Sequence, residues 1–331
     1  MKPYSTLLCL AVLLLGSAAW GMAALWYFDH ASFALRTTLA SVFGIASLLC
    51  LAGILASRWR WRAATAYAVL FAVVLWRWQA IEPSNERDWQ LESARLAYAT
   101  IDGERITLHN IRNFEYRTET DFTPAYYDKT FDLRSLDSVD VVTSYWMGPA
   151  IAHVFLSFGF GGKDHVAISI EARKERGEGY SSVRGFFRQY ELHYVVADER
   201  DVIGVRTNYR RDPPEEVYLY RLRGTPEAAR RVFLDYVAEI NRLKEQPEFY
   251  NTLITNCTSN IWLHSRVNPD HLPYSWKLLA SGHVPELLYE HGKLDTRLPL
   301  AELQRRSLIN PRAVAGGDGE DFSRRIRQGL P

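Results

Sequence analysis

The fold is decided around residues 250–262, where the sequence runs YNTLITNCTSNIW. Asn256 is a good helix N-cap, and Ile261 and Trp262 begin an apolar face. This pattern predicts a helix whose first turn contains Cys257. Unpaired backbone N–H groups and the helix dipole at such a start favour a thiolate over a thiol. Cys257 is therefore a candidate nucleophile, although a lone cysteine is more commonly a buried small apolar residue.

The other two cysteines, Cys9 and Cys50, lie in apolar N-terminal segments. Three cysteines placed in this way cannot form a disulfide framework. A reactive cysteine needs a histidine to accept its proton. His153 is the best candidate, because it begins the apolar stretch 152–160.

The charge is unevenly distributed along the 331 residues. The net charge is +1, but residues 1–78 carry six basic residues and one acidic residue, and the rest of the chain carries 33 basic and 37 acidic residues. Nucleic-acid binding usually needs a basic face, so we expect no nucleic-acid partner. The histidines show no paired metal-ligand spacing, and we predict no metal site and no cofactor.

Three apolar N-terminal segments predict transmembrane helices, at about residues 4–28, 37–57 and 63–81. A cleaved signal peptide is the alternative for the first segment, and the second segment argues against it. The third is uncharged only over residues 63–76. This segment reaches spanning length if the helix extends toward Ile81, with Arg77 at the membrane interface. If it does not extend, the segment is an interfacial helix.

The arginines between these segments predict the orientation. The first loop, residues 29–32, has no lysine or arginine, whereas residues 58–62 contain three arginines. Because positive loops stay in the cytoplasm, the chain after Ile81 is expected outside. The prediction is a multi-pass protein of a bacterial inner membrane, with a periplasmic domain at residues 82–315 and a flexible, Gly-rich tail at residues 316–331.

The soluble part mixes strand and helix patterns, which predicts an α+β fold with an antiparallel sheet. Two segments with the pattern of strands, residues 152–160 and 165–173, flank a Gly-Gly-Lys-Asp turn and predict a β-hairpin. An amphipathic helix is predicted at residues 226–246, and a helix interrupted at Gly282 and Pro285 at residues 273–292. The remaining strands are predicted at residues 105–116, 137–145, 187–197 and 217–222.

The hairpin brings a carboxylate to His153. If its turn is centred near Gly162, Glu171 lies opposite His153 on the same face of the sheet. A histidine held by a carboxylate keeps the tautomer that accepts a thiol proton. Cys257, His153 and Glu171 would then form a catalytic triad. The alternatives are a structural His153 and a Glu171 that pairs with a basic residue at the sheet edge.

Several motifs together resemble the Lnb N-terminal periplasmic domain family, within the circularly permuted papain-like (NlpC-type) superfamily. They occupy residues 87–89, 110–114, 153–160, 169–173, 190–192 and 250–258, and the resemblance covers about residues 84–265. It implies a permuted papain-like domain with Cys257 as nucleophile and His153 as base. Lnb proteins are lipoprotein N-acyltransferases, but they place their membrane helices after the domain, whereas here the helices precede it.

The resemblance implies an acyl transfer through a thioester on Cys257, with a phospholipid or lipoprotein substrate at the membrane surface. Tyr250 and Asn256 are candidates for stabilising an oxyanion, and Asn256 is equally explained as the helix cap. Two alternatives remain open at this stage. One is a thiol peptidase or amidase that acts on cell-wall peptides, and the other is a membrane-tethered binding module with an inert cysteine.

Overall fold

The computed structural model describes residues 3–28, 32–56, 58–317 and 319–331. Residues 29–31 of the predicted first loop, Ser57 at the predicted end of the second apolar segment, and residue 318 of the predicted tail lie outside the described residues. The chain divides into two compact units. One runs up to Pro83 and includes Ser181–Gln189; the other comprises Ser84–Tyr180 and Tyr190–Pro331.

The first unit contains three helices: α1 (Pro3–Trp26), α2 (Phe33–Leu55) and α3 (Arg60–Gln79). Among the described residues, two stretches are long and apolar enough to cross a membrane, Leu7–Trp26 and Phe33–Leu55. Most of each stretch is not buried within the structure. The helix α3 carries three arginines and is not one of these stretches, so the third membrane span stays a prediction.

A short segment from much later in the chain completes this unit. Phe187 stacks on Tyr27 with ring centroids 5.2 Å apart. Arg188 donates hydrogen bonds to the carbonyl groups of Trp78 and Ile81, at the C-terminal end of α3. Carbonyl groups at a helix C-terminus lack partners within the helix, so this arginine satisfies them.

The second unit is built on an eight-stranded sheet in the described chain. The strand order is β1-β2-β9-β8-β7-β6-β10, and β5 pairs with β2 outside that path. Neighbours are antiparallel except for a single parallel bridge between β2 and β9. A separate two-stranded sheet joins β3 and β4. The strands are β1 (Tyr98–Asp102), β2 (Arg105–Arg112), β3 (Glu115–Tyr116), β4 (Phe122–Thr123), β5 (Tyr126–Asp132), β6 (Leu136–Tyr145), β7 (Ala152–Phe160), β8 (Asp164–Arg173), β9 (Glu191–Ala197) and β10 (Glu216–Arg221).

Helices cover both faces of this sheet. Alternate residues of β7 point to opposite faces, so Leu156 joins a core with Phe233 and Tyr236 of α5, whereas Phe155 joins a second core with Phe322 of α10. The helices of this unit are α4 (Glu199–Val202), α5 (Pro226–Glu245), α6 (Cys257–Ser265), α7 (Val284–Glu290), α8 (Leu300–Ser307), α9 (Asn310–Val314) and α10 (Phe322–Ile326). The antiparallel α+β prediction is confirmed, and the papain-like permutation stays a prediction.

The β7–β8 hairpin has the predicted register. Leu156 pairs with Ile168 and Phe160 with Asp164, which centres the turn on Gly162. Gly161 and Gly162 have φ values of 60° and 66°, a conformation that glycine adopts without steric cost. The β7–β8 pairing begins only at Leu156, although β7 pairs with β6 from Ala152. The two strands therefore separate at the end that carries His153.

Two predicted strands are shorter in the structure, for local reasons. The predicted strand at residues 187–197 begins at Glu191, because Arg188 has a φ of 55° and residues 181–189 belong to the first unit. The predicted strand at residues 105–116 ends at Arg112, and Glu115–Tyr116 pairs with a different strand. The predicted interruption is present at Gly282, which lies in the second of two short 3₁₀ turns, whereas Pro285 lies in the first turn of α7, which starts at Val284.

The tail predicted to be flexible, residues 316–331, is instead packed against the domain from Phe322 onward. Phe322 and Ile326 are buried in the second core. Arg327 forms ion pairs with Asp140 at 2.7 Å and with Glu199 at 2.6 Å. The glycine content and the charge of this segment predict a loose tail, but Arg327 pairs with buried carboxylates that lie far away in sequence.

We predict that Arg327→Ala destabilises the second unit by about 3–5 kcal/mol, because it leaves Glu199 as a buried, uncompensated carboxylate, while Asp140 keeps its ion pair with Arg221. The measurement is the free energy of unfolding by denaturant, for the full chain in detergent. Arg324→Ala is the matched control, since Arg324 is exposed on the same helix. Equal stability of the two variants would contradict the prediction.

The same ion pair predicts a pH dependence. Burial raises the pKa of Glu199, but the charge and hydrogen bonds of Arg327 outweigh it and lower the pKa to about 2. A lowered folded-state pKa contributes stability above the unfolded value of about 4.3, and that contribution is lost as the pH falls toward 2. In Arg327→Ala the loss of stability over this range should be smaller.

Candidate functional site

The helix α6 starts at Cys257, as the sequence predicted. Asn256 is its N-cap and forms a capping box with Ser259: each side chain bonds the other residue's backbone N–H, at 2.9 and 3.0 Å. The Asn256 side-chain nitrogen donates to the carbonyl of Thr252 at 2.7 Å. Both polar atoms of this side chain are thus used to hold the helix start, which places Cys257 in the first turn.

The Cys257 thiol is hydrogen-bonded to His153. It also accepts from the backbone N–H groups of Val154 and Thr258. Val154 lies where β7 has separated from β8, so the thiol occupies the place that a neighbouring strand would take. Burial raises the pKa of Cys257, but the hydrogen bond and charge of His153 outweigh it, and the pKa is lowered overall.

A hydroxyl group links His153 to Glu171. His153 Nε2 lies 2.7 Å from Ser169 Oγ, which donates to Glu171 Oε1 at 2.8 Å. The direct distance from Nε2 to Oε1 is 3.6 Å, too long for a strong hydrogen bond. An ionised carboxylate only accepts, so the Ser169 hydroxyl points to Glu171 and its oxygen accepts from His153 Nε2–H. This tautomer leaves Nδ1 to face the thiol.

The electrostatics of His153 fit a proton acceptor. Its side chain is 15% exposed. Burial lowers the pKa of His153, but its interactions with Cys257 and Glu171 outweigh burial and raise it. A raised histidine pKa beside a lowered cysteine pKa is the condition for a thiolate–imidazolium pair.

Sequence reasoning missed the cation beside Glu171. Arg206 lies in a π-helical turn, Val205–Tyr209, and its side chain is 4% exposed. Its Nη2 atom is 3.0 Å from Glu171 Oε1. Burial raises the pKa of Glu171, but the bond to His153 and the charge of Arg206 hold it well below its usual range. No local sequence signal marks a buried arginine in a loop, so only the tertiary structure reveals it.

A second histidine, His193, contacts the main chain of Glu171. His193 lies opposite Glu171 on β9, and its Nδ1 is 3.2 Å from the Glu171 carbonyl oxygen. Burial lowers the pKa of His193 to about 3. It is therefore neutral at physiological pH, and the only histidine charge beside Glu171 is that of His153.

Tyr250 and Asn256, the predicted oxyanion residues, have different surroundings. Tyr250 is buried, and its pKa is raised by burial and by the nearby charge of Cys257, so its hydroxyl stays protonated beside the thiol. The Asn256 side chain is occupied by the hydrogen bonds of the helix cap. Tyr236, on the predicted amphipathic helix, has a buried hydroxyl with no partner in the described part of the chain, and burial and the nearby charge of Cys257 raise its pKa.

Comparison with known proteins gives a match over part of the chain. Residues 122–282 match the model of the family described as the Lnb N-terminal periplasmic domain, which confirms the resemblance. The matched range includes Cys257, His153 and Glu171. No curated protein and no solved structure matches the chain significantly. With the two apolar N-terminal helices, the match indicates a membrane-associated protein with a periplasmic domain.

We predict that Cys257 alkylates with iodoacetamide at a lower pH than an ordinary thiol of pKa about 8.5. The measurement is the alkylation rate against pH, for the full chain carrying Cys9→Ser and Cys50→Ser. His153→Ala should slow the reaction at pH 7 by about tenfold, because an unassisted thiol is only a few per cent ionised there. His291→Ala is the control. A Cys257 that reacts only after denaturation would show that it is an inert core residue.

Glu171→Gln should slow alkylation at pH 7 by several-fold, since a neutral amide no longer raises the pKa of His153. Ser169→Ala should have a smaller effect, because it removes the bridging hydroxyl but keeps the carboxylate charge. Glu104→Gln, an exposed change in the β1–β2 turn, is the control for the loss of one negative charge. An unchanged rate in Glu171→Gln would remove Glu171 from the site.

Proposed function

Starting from a chain whose residues 122–282 match the Lnb N-terminal periplasmic domain family, we propose that it is a membrane-anchored cysteine acyltransferase of the periplasm. The observation that carries this proposal is the Cys257 thiol hydrogen-bonded to His153, which is linked through Ser169 to Glu171. Nucleophile, base and orienting carboxylate are the groups that covalent acyl transfer needs.

The first half-reaction forms a thioester. His153 takes the proton from Cys257, and the thiolate attacks the ester carbonyl of an acyl donor. The tetrahedral intermediate collapses when its carbon–oxygen bond breaks, and His153 returns the proton to the leaving alcohol. The acyl group is then bound to Cys257 Sγ.

The second half-reaction releases the acyl group to an amine. The amine attacks the thioester carbonyl and gives a proton to His153, and Cys257 leaves as the thiolate. The product is an amide, and the proton on His153 restores the starting pair. The resemblance suggests a phospholipid as donor and the amino-terminal cysteine of a lipoprotein as acceptor.

The start of α6 supplies donors for the oxyanion. The Ser259 N–H is bonded to Asn256, so the donors at the helix start are the Cys257 N–H and, once the sulfur has attacked and no longer accepts from it, the Thr258 N–H. Backbone donors at a helix start are preorganised and gain strength from the helix dipole. The protonated Tyr250 hydroxyl is a further donor beside the thiol in this proposal.

The N-terminal helices suit a lipid substrate. Two of them are apolar enough to span a bilayer, and the three arginines of residues 58–62 favour a cytoplasmic second loop. We propose a multi-pass arrangement in the inner membrane of a Gram-negative bacterium, with α3 as the third span. The domain would then meet its acyl donor at the periplasmic surface of the bilayer.

The test is recovery of an acyl group on Cys257. The full chain is incubated in vesicles that contain a phospholipid with an alkyne-tagged acyl chain, and the adduct is detected before and after neutral hydroxylamine, which cleaves thioesters. Wild type should carry a hydroxylamine-sensitive label on Cys257, and Cys257→Ala should carry none. His153→Ala should lower the labelling rate by 10²-fold or more.

Transfer is tested by adding a peptide with an amino-terminal diacylglyceryl-cysteine, whose amine should gain the tagged acyl chain. Wild-type transfer by Cys257→Ala would contradict the proposal. Release of soluble peptides from cell-wall fragments by wild type, without acyl labelling, would instead indicate a thiol amidase. Full complementation of a deletion strain by Cys257→Ser would indicate a binding module.

A further inference from the structure

An apolar cavity of about 180 Å³, partly open to solvent, lies between the sheet and the helices of the first core. Val154 and Leu156 of β7 form its floor, and Val232 of α5 and Leu287 of α7 form part of its wall. The mechanism above uses none of these side chains. Empty apolar space of this size is uncommon in a native core, because each missing contact weakens packing.

One end of the cavity reaches the nucleophile. Val154 and Thr258 line it, and both donate backbone N–H groups to the Cys257 thiol. Along α6 the lining residues are Thr258, Ile261, Trp262 and Ser265, which share one side of the helix. Cys257 is not a lining residue, but it directly precedes Thr258 and lies one turn before Ile261, so the thiol is next to this end of the cavity.

The other end is polar. Asp137, Arg223 and Lys293 line it, and Lys293 is paired with Asp270 at 2.7 Å. Ser265 lies about 10 Å along α6 from Thr258 at 1.5 Å per residue. Ser138, which pairs with Gly159, lies about 17 Å along the sheet from Val154 at 3.4 Å per residue. The cavity thus extends away from the thiol as an apolar space with a charged far rim.

We infer that this cavity holds the hydrocarbon chain of the acyl group on Cys257 and selects acyl chains by length. The inference rests on the proposed function and names its substrate class. A peptide in the same place would leave its amide groups without hydrogen-bond partners, at a large cost. A hydrocarbon chain needs no partner, and its thioester carbonyl would remain at the start of α6.

The volume sets the expected length. An apolar cavity of about 150 Å³ is filled by benzene, a molecule of six carbons. The cavity here is slightly larger, so about seven or eight carbons fill it before the chain meets the charged rim. Each additional methylene group that is buried multiplies the equilibrium constant for binding by about four.

The experiment measures acylation of Cys257 by p-nitrophenyl esters of increasing chain length, from acetyl to myristoyl. The protein is the full chain with Cys9→Ser and Cys50→Ser, and the readout is the burst of p-nitrophenol together with the mass of the adduct. In wild type the acylation efficiency, kcat/KM, should rise by about fourfold per methylene up to seven or eight carbons and then level off.

Ala229→Trp is designed to fill the half of the cavity farther from Cys257. It should move the plateau to shorter chains and lower octanoyl acylation by at least tenfold, while acetyl acylation stays unchanged. Leu263→Trp is the matched control, because Leu263 is exposed on α6 and does not line the cavity. A chain-length profile that is flat in wild type, or unchanged in Ala229→Trp, would overturn the inference and leave the acyl-enzyme intact.

Failure of the proposed function gives a different result. In that case no ester, acetyl included, acylates Cys257. Binding of octanoate to Cys257→Ala, measured by calorimetry, is then decisive for the cavity alone. Saturable binding that Ala229→Trp abolishes would support an apolar ligand site, and no binding would overturn it.

Discussion

The pairing between β7 and β8 controls the geometry of the site. Two consecutive glycines set the turn, and the register that follows carries His153, Ser169 and Glu171 to one face of the sheet. The pairing stops at Leu156, before it reaches these residues. A continuous ladder would have filled the space between the strands with main-chain hydrogen bonds. Its early end leaves the Val154 N–H for the thiol of Cys257, and the helix that carries this thiol approaches from the opposite face.

Local sequence signals predicted the parts of the site that depend on local rules. The cap at Asn256 predicted where α6 begins, and the glycine turn predicted the register that brings His153 and Glu171 to one face of the sheet. Arg206 escaped prediction, because its role arises from a π-helical turn that folds back over β8. The bridging role of the Ser169 hydroxyl also escaped prediction, because it depends on the distance between His153 Nε2 and Glu171 Oε1, which is 3.6 Å.

The same reasoning explains the errors elsewhere in the fold. Residues 187–190 follow the pattern of a strand only if the positive φ of Arg188 is unknown, and the Phe187 ring packs against Tyr27, far away in sequence. The C-terminal residues look solvated because the sequence cannot show that Arg327 meets two buried carboxylates. Tertiary partners, rather than local propensity, decide both segments.

The ion pairs of Arg327 also constrain the order in which the domain folds. Arg327 reaches Asp140 across 187 residues of chain and Glu199 across 128. Contacts between residues so far apart form late during folding. The chain must first lose the entropy of closing the loop, and only then does the contact contribute a favourable free energy. Until Arg327 pairs with Asp140 and Glu199, these two carboxylates remain hydrated, and the face of the sheet that carries His153 stays incompletely covered. A chain exported through a membrane from its N-terminus would therefore assemble this face only after residue 327 has crossed, which delays a reactive thiol until the domain around it is complete.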